Sequence, residues 1–337
     1  MSAFHDKPLK KNSSTILITC IALTLVIFSG FGPFSVHAQG YPTKPIRLVV
    51  AFAAGGGVDN TARIISRPLA EALNTTVVVE NKAGASGTIG TSHVARASPD
   101  GYTLTFGVAA AMVIAPQMMA TKPYNTLTDF SPVNLLGYSP LIIAVNPKSG
   151  ISNFKDFIER SKTEKYSFGS AGVGSGTHLV IEMLNKVANN NLLHVPYTGG
   201  GPAVVDALAG HIAGVVADLP PLLPLFKTKQ LMPLAITSDK RISFLPGTPT
   251  VSEEIPGFEV RSWFGIFAPK GTPSEIVSKL NNALIKVSQR ADIQMQLKNS
   301  GVILETTESP EAFTQYVAGE YTRWGNLIKE RGLLDAK

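Results

Sequence analysis

Cysteine is nearly missing from this chain of 337 residues: Cys20 is the only one. It lies in a segment that reads as a removable leader. Beyond it nothing can form a disulfide, hold a metal through a thiolate or attack with a thiol. Charge is sparse as well, at 16% of residues. The 30 basic and 24 acidic side chains leave a net +6, but they are scattered. Without a run of Lys or Arg, nucleic acid is not an expected partner.

The catalytic and metal signatures are missing too. HExxH is absent, and His93, His194 and His211 show no metal-ligand spacing, so no metal site is expected. Gly-x-Ser-x-Gly fails twice. Ser175 has Val173 two residues before it, and Ser86 has Thr88 two residues after it. His178 follows Ser175 by three residues, but no third group completes a triad. No close pair of carboxylates offers acid–base work. The chain is read as a non-enzyme that needs no cofactor.

Long apolar runs are also lacking, except at the N-terminus. There Lys7, Lys10 and Lys11 precede the apolar stretch Ile16 to Phe28, and Val36-His37-Ala38 resembles a cleavage site. Residues 1–38 are therefore expected to be a signal peptide, with Gln39 first in the mature chain. A spanning helix is the rival reading, but Gly30, Gly32 and Pro33 interrupt it. The expectation is a periplasmic protein with no stable membrane insertion after cleavage. Losing three lysines and one aspartate takes the charge from +6 to +4.

Glycine is what the chain does have. Ile46 to Phe52 is an apolar run of strand length, and Ala53-Ala54-Gly55-Gly56-Gly57 follows it with almost no side chains. A helix then opens near Val58, with Ala62, Ile65, Leu69 and Leu73 at helical spacing. The first N–H groups of a helix lack internal partners, and its dipole adds positive potential there. Glycines let a ligand come close to that backbone. The unit reads as a cradle for a carboxylate or phosphate. A plain βα turn that happens to use glycine is the alternative. The Gly-Lys-Ser/Thr of a phosphate loop does not follow, and the glycines are contiguous where a dinucleotide fingerprint spaces them.

The pattern recurs. Strands at Val77–Val79 and Tyr102–Gly107 also end in small-residue loops, Ala83 to Gly90 and Gly107 to Ala111. A second set follows. Tyr166–Gly169 runs into Ser170-Ala171-Gly172-Val173-Gly174-Ser175-Gly176, Leu193–Tyr197 into Thr198-Gly199-Gly200-Gly201-Pro202, and Ile212–Val216 into Asp218-Leu219-Pro220. Strands alternating with helices predict mainly parallel sheets. In such sheets the ligand crevice lies at the carboxyl ends of the strands. Further strands are expected at Leu141–Val145 and Ser262–Pro269. Helices are expected to start at a Ser152 cap, at Pro202 and at a Thr272-Pro273-Ser274-Glu275 capping box. An aromatic stripe at Phe313, Tyr316, Tyr321 and Trp324 should pack the last helix on the core.

Several polar residues sit where they could touch a ligand. Ser170 and Ser175 are either hydroxyl donors to it or helix caps. Asp59, in the first turn after the glycine loop, is either a cap or a contact for an amino group. Asp218 faces a choice between a hinge hydrogen bond and a ligand contact.

With these residues assembled, the chain resembles the Bug family of periplasmic solute-binding proteins, the extracytoplasmic receptors of tripartite tricarboxylate transporters. The matching stretches include YPTKPIRLVVAFAAGGGVD, VVVENKAGASGTIG, FGSAGVGSGTHL, HVPYTGGGPAVVDALAGHI and SWFGIFAPKGTP, in order along nearly all of the chain after Tyr41. The resemblance implies an α/β fold of two Venus-flytrap lobes: 39–140 with 265–337, and 141–264. It implies that a small organic acid is captured between them and delivered to membrane transporter subunits. The implied ligand-binding set is Phe52, Ala54, Gly55, Gly56, Asp59, Ser170, Ser175, Thr198, Gly199 and Asp218. Two departures stand out. Ala51 and Ala53 replace prolines common in the first loop, and Ala217-Asp218 replaces Asp-Asn. A sensor that docks on a receptor kinase is the alternative function.

Overall fold

The structure, a computed structural model, describes residues 40–330 and 332; the expected signal segment lies outside the described residues. Three βα units come first. β1 (Ile46–Val50) leads into α1 (Gly57–Leu73), and β2 (Val77–Asn81) into α2 (Thr88–Ala95). β3 (Thr103–Val108) leads into a π-helical turn at Ala110–Ile114 that continues as α3 (Ala115–Met118). β1 lies between β2 and β3, parallel to both. Ile46, Leu48, Val49 and Val50 are fully buried, as a strand covered on both faces requires.

The second set repeats the plan. After α4 (Phe154–Arg160) come β5 (Tyr166–Ser170) with α5 (Gly176–Val187), and β6 (Leu192–Pro196) with α6 (Gly200–Ala209). β7 (Gly214–Asp218) with α7 (Leu219–Lys227) and then β8 (Met232–Ile236) complete it. β5 lies between β6 and β7, parallel to both.

Two long strands join the sets. β4 (Phe130–Val145) pairs with β9 (Arg261–Pro269) over Phe130–Pro140, then with β7 and β8 over Leu141–Val145. β9 pairs with β3 on its other side. The strand path runs β2-β1-β3-β9-β4-β7-β5-β6. The expected parallel units are present, and the antiparallel pairings all involve β4 or β9, which cross between the sets. The chain closes with α8 (Ser274–Ser288), α9 (Ala291–Asn299), β10 (Ile303–Leu304), which pairs with β4, and α10 (Pro310–Glu330). Among the described residues, no helix is long and apolar enough to cross a membrane.

Four local expectations need correction. The strand expected at Leu141–Val145 already begins at Phe130, although Pro132, Gly137 and Pro140 are poor strand formers. The strand accommodates them with register shifts between Pro132 and Asn134 and between Leu135 and Gly137. Gly137 holds φ +139°, and a Cβ there would stand 2.2 Å from the Ile303 carbonyl oxygen. The cap of α4 is Asn153, whose side chain accepts from the Asp156 N–H, one residue beyond Ser152. Pro202 falls third in α6, which already begins at Gly200. No side chain caps α8; the Thr272 hydroxyl donates to the Pro269 carbonyl.

α10 seals the sheet where β4 and β9 pair. Phe313, Val317, Trp324 and Ile328 are buried. The Phe313 ring lies 4.9 Å from Phe267 and 6.2 Å from Trp263 between centroids. Both tryptophan N–H groups donate to Glu320, at 3.0 and 3.1 Å. Phe313 fits only because residue 265 is glycine: a Cβ there would stand 2.4 Å from its ring and 2.6 Å from the Asn134 carbonyl. Gly265→Ala should therefore lower stability by about 1–3 kcal/mol through overpacking. Urea unfolding reads this directly, and an unchanged midpoint would show that the ring can move aside.

Candidate functional site

The loops at the carboxyl ends of both strand sets meet. A Cβ on Gly57, at the start of α1, would lie 4.0 Å from the Cβ of Asp218 at the end of β7. A Cβ on Gly174 would lie 3.6 Å from both Ser86 Oγ and Ala115 Cβ. The loop after β1 thus faces the end of β7, and the loops after β2 and β3 face the loop after β5.

Two helices open onto this region without a side-chain cap. The N-cap of α1 is Gly56 and that of α6 is Gly199; neither makes a side-chain cap hydrogen bond. A Cβ at Gly55, Gly199, Gly200 or Gly201 would meet nothing within 4 Å. These ends combine orphan N–H groups, dipole potential and room for a ligand's atoms. Thr198 is exposed beside the second of them. At the first, Ala54 is exposed and Phe52 half-buried. The Phe52 ring would lie 3.0 Å from a Cβ on Gly87, so it reaches the neighbouring loop.

α5 differs, because its loop satisfies itself. Ser175 caps the helix by accepting from the His178 N–H at 3.1 Å, and it donates to the Gly172 carbonyl at 2.6 Å. Ser170 is fully buried. Its hydroxyl accepts from the Gly172 N–H at 3.1 Å and lies 2.6 Å from His194 Nε2. Both hydroxyls are engaged within the chain in this structure.

Asp59 is engaged as well. It is 2% exposed. It accepts from the Gly55 N–H at 2.8 Å, Arg63 Nε at 3.0 Å and Asn81 Nδ2 at 2.9 Å. Burial alone would raise its pKa, but the bonds from Arg63, Gly55 and Asn81 outweigh that and hold it below the usual range. Asn81 also donates to the Phe52 carbonyl at 3.0 Å. Asp59 and Asn81 together pin the glycine loop at Phe52 and at Gly55. The role of Asn81 was invisible in the sequence, because nothing there says that the end of β2 lies beside α1.

The structure also gathers His178, Glu182 and His194, whose ligand atoms lie within 4.8 Å of one another. The i,i+4 spacing of His178 and Glu182 was the one readable signal. However, His178 Nδ1 accepts from the Gly174 N–H at 3.2 Å, which leaves the ring proton on Nε2, 3.6 Å from Glu182. The two imidazoles stack with centroids 4.1 Å apart, and His194 Nε2 is engaged with the Ser170 hydroxyl at 2.6 Å. The cluster is a brace under the loop after β5. Burial, with His178 alongside, pushes His194 down to about 4.

Asp218 ends β7 and stands as the N-cap of α7 without making a side-chain cap bond. Burial pushes its carboxyl up to about 6, with Ser262 and Ser139 offsetting part of the rise. It therefore carries its negative charge above pH 6 and sheds it in mild acid, beside the start of α1.

Parallel βα units in two sets, crossing strands between them and bare loops meeting from both sides define a two-lobe binding-protein fold of the periplasmic kind. The chain belongs to the tripartite tricarboxylate transporter receptor family, whose model matches residues 61–333. BugT of Bordetella pertussis is 33% identical over 301 residues, covering 88% of this chain and 92% of that one. A Pseudomonas sp. protein encoded in the tcbD-tcbE intergenic region is 37% identical over 296 residues, covering 87% and 88%. The solved periplasmic binding protein BugD superposes with a TM-score of 0.81 at 36% identity, covering 87% of this chain and 99% of its own. R. palustris Rpa4515, solved with adipate, gives 0.82 at 31% and the same coverage. MatC from Rhodopseudomonas palustris, solved with bound malate, gives 0.78 at 29%, covering 86% and 100%. The family and these neighbours are solute-binding proteins.

The raised pKa of Asp218 makes a pH prediction. A carboxyl whose folded pKa exceeds its unfolded value adds stability below about pH 4 and loses it as pH rises to 6. Asp218→Asn removes that loss. Because Asp218 is only half-buried, and solvent screens the effect, the variant should gain about 1–2 kcal/mol over the parent between pH 4.5 and 7.5. Melting temperatures of both proteins at the two pH values test this; an equal difference at each would rule it out.

Proposed function

We propose that this protein captures a small carboxylated solute between its lobes in the periplasm and delivers it to a tripartite tricarboxylate-type membrane transporter. The observation that carries this is the pair of uncapped, glycine-lined helix starts, α1 and α6, at the loop edges of the two strand sets. Each offers backbone N–H groups to one carboxylate, with Phe52, Ala54, Gly55, Gly56, Thr198 and Gly199 around them. Asp59, Ser170 and Ser175 act one step back, holding the loops in shape. Asp218 flanks the α1 cradle, where its charge selects against a second negative group. The carboxylates in the titles of two neighbours, adipate and malate, support this class of ligand. Secretion would use the leader at 1–38.

We place the first lobe boundary at 140/141, where β4 changes partners. The second moves ahead of Arg261, since residues 261–264 of β9 pair with residues 137–140 of β4.

The test is the melting temperature of residues 39–337 against mono-, di- and tricarboxylates, malate and adipate among them, with amino acids and neutral sugars alongside. An acid at about 100 times its Kd should add roughly 2.7 kcal/mol, several degrees. A shift with a sugar alone, or with no acid, would overturn the reading. Gly200→Asp puts a carboxylate into the open start of α6, where it suits the helix dipole. It should leave the unliganded melting temperature unchanged or slightly raised and cut the acid-induced shift by half or more.

A further inference from the structure

The loop between β2 and α2 takes a backbone conformation that residues with a Cβ rarely adopt. Gly84, Ala85, Ser86 and Gly87 hold φ of +134°, +45°, +52° and +87° in succession. Ala85 and Ser86 have a Cβ, and such residues persist at positive φ only where the surroundings hold them there. Within the loop the Gly87 N–H donates to the Gly84 carbonyl and the Thr88 hydroxyl to the Ala85 carbonyl; the contact that leaves it for the other strand set is the Ser86 hydroxyl, which donates to the Val173 carbonyl in the loop after β5. The two residues are 87 apart in the chain and belong to opposite strand sets. Among the described residues, this is the hydrogen bond that joins a βα loop of one set to a βα loop of the other.

The receiving loop is built to present that carbonyl. Gly174 is held from behind by His178, and Gly172 by Ser170 and Ser175. Gly174, at φ +77°, lets the loop seat against Ser86 and Ala115 with no side chain between them. Val173 itself is 41% exposed, so burial of its side chain does not drive the contact.

We infer that Ser86 is a positioning residue that latches the two loops across the cleft and sets how long a bound solute stays. This rests on the carboxylate-capture reading for the solute, but the contact itself can be tested without one. The latch adds a bond that exists only when the loops meet, so its loss should act on release more than on capture.

The experiment compares the parent with Ser86→Ala and Ser86→Asn. Ala is a non-glycine residue the loop already accepts at position 85, and Asn tolerates positive φ while keeping a donor. Release of malate or adipate from Ser86→Ala should be roughly fivefold faster, association should change less than about twofold, and Ser86→Asn should recover part of the loss. The unliganded melting temperature should fall less than the melting temperature with acid. Unchanged release, or an equal fall in melting temperature with and without acid, would overturn the latch. A second arm pairs Ser86→Cys with Val173→Cys in the chain 39–337, which has no other thiol, and adds a short bis-maleimide. Efficient intramolecular cross-linking supports the contact even if neither acid binds; absence of cross-linking with and without acid overturns it. Failure of the latch and failure of the carboxylate reading are thereby told apart.

Discussion

The antiparallel pairing of β4 with β9 is the constraint on which the rest depends. β4 runs through 16 residues, giving its first part to β9 and its last five residues to β7 and β8. A parallel βα unit puts its loop at one end only, so two such sets face each other only if something turns the second against the first. The crossing strands do that. They also carry the heaviest packing: Trp263, Phe267 and Phe313 pack together where α10 covers the pair. A glycine at 265 is the condition for that packing.

Function then follows from what the meeting loops leave undone. A helix start can satisfy itself, as α5 does with Ser175. α1 and α6 do not, and their glycines keep the space before them clear. The polar side chains nearby are mostly occupied: Asp59 by three donors, Ser170 by His194 and Gly172. On the proposed reading, a site of this kind would hold a carboxylate through backbone N–H groups, while the side chains hold the backbone in place. Such a wall would sense charge and geometry well and chain length poorly, which is compatible with two solved neighbours that carry adipate and malate.

Much of this was legible in order along the chain. Apolar runs ending in glycine, followed by helical periodicity, located β1, β3, β5 and β6 to within two residues, because both strand burial and loop bareness are written in local composition. Only the second half of β4 was expected as a strand; its first half carries prolines and a glycine that a strand accepts at bulges once a partner strand fixes the register. Asp59 and Ser175 showed why a polar residue in a first turn is ambiguous in sequence: cap and ligand contact demand the same residue types at the same positions. Nothing in the sequence pointed to the partners of Asn81 and Ser86. Each acts on a residue that lies far away in the chain, and single-sequence pattern carries no information about such pairs.

The sequence by itself determined the α/β alternation, the bare loops and the shortage of thiols and catalytic motifs, since these depend on residue type and local spacing alone. The tertiary structure decided which loops meet, which helix starts stay open and which carboxyl loses its charge in mild acid. Those outcomes depend on strands paired over long chain separations and on burial, and neither exists until β4 and β9 have brought the two sets together.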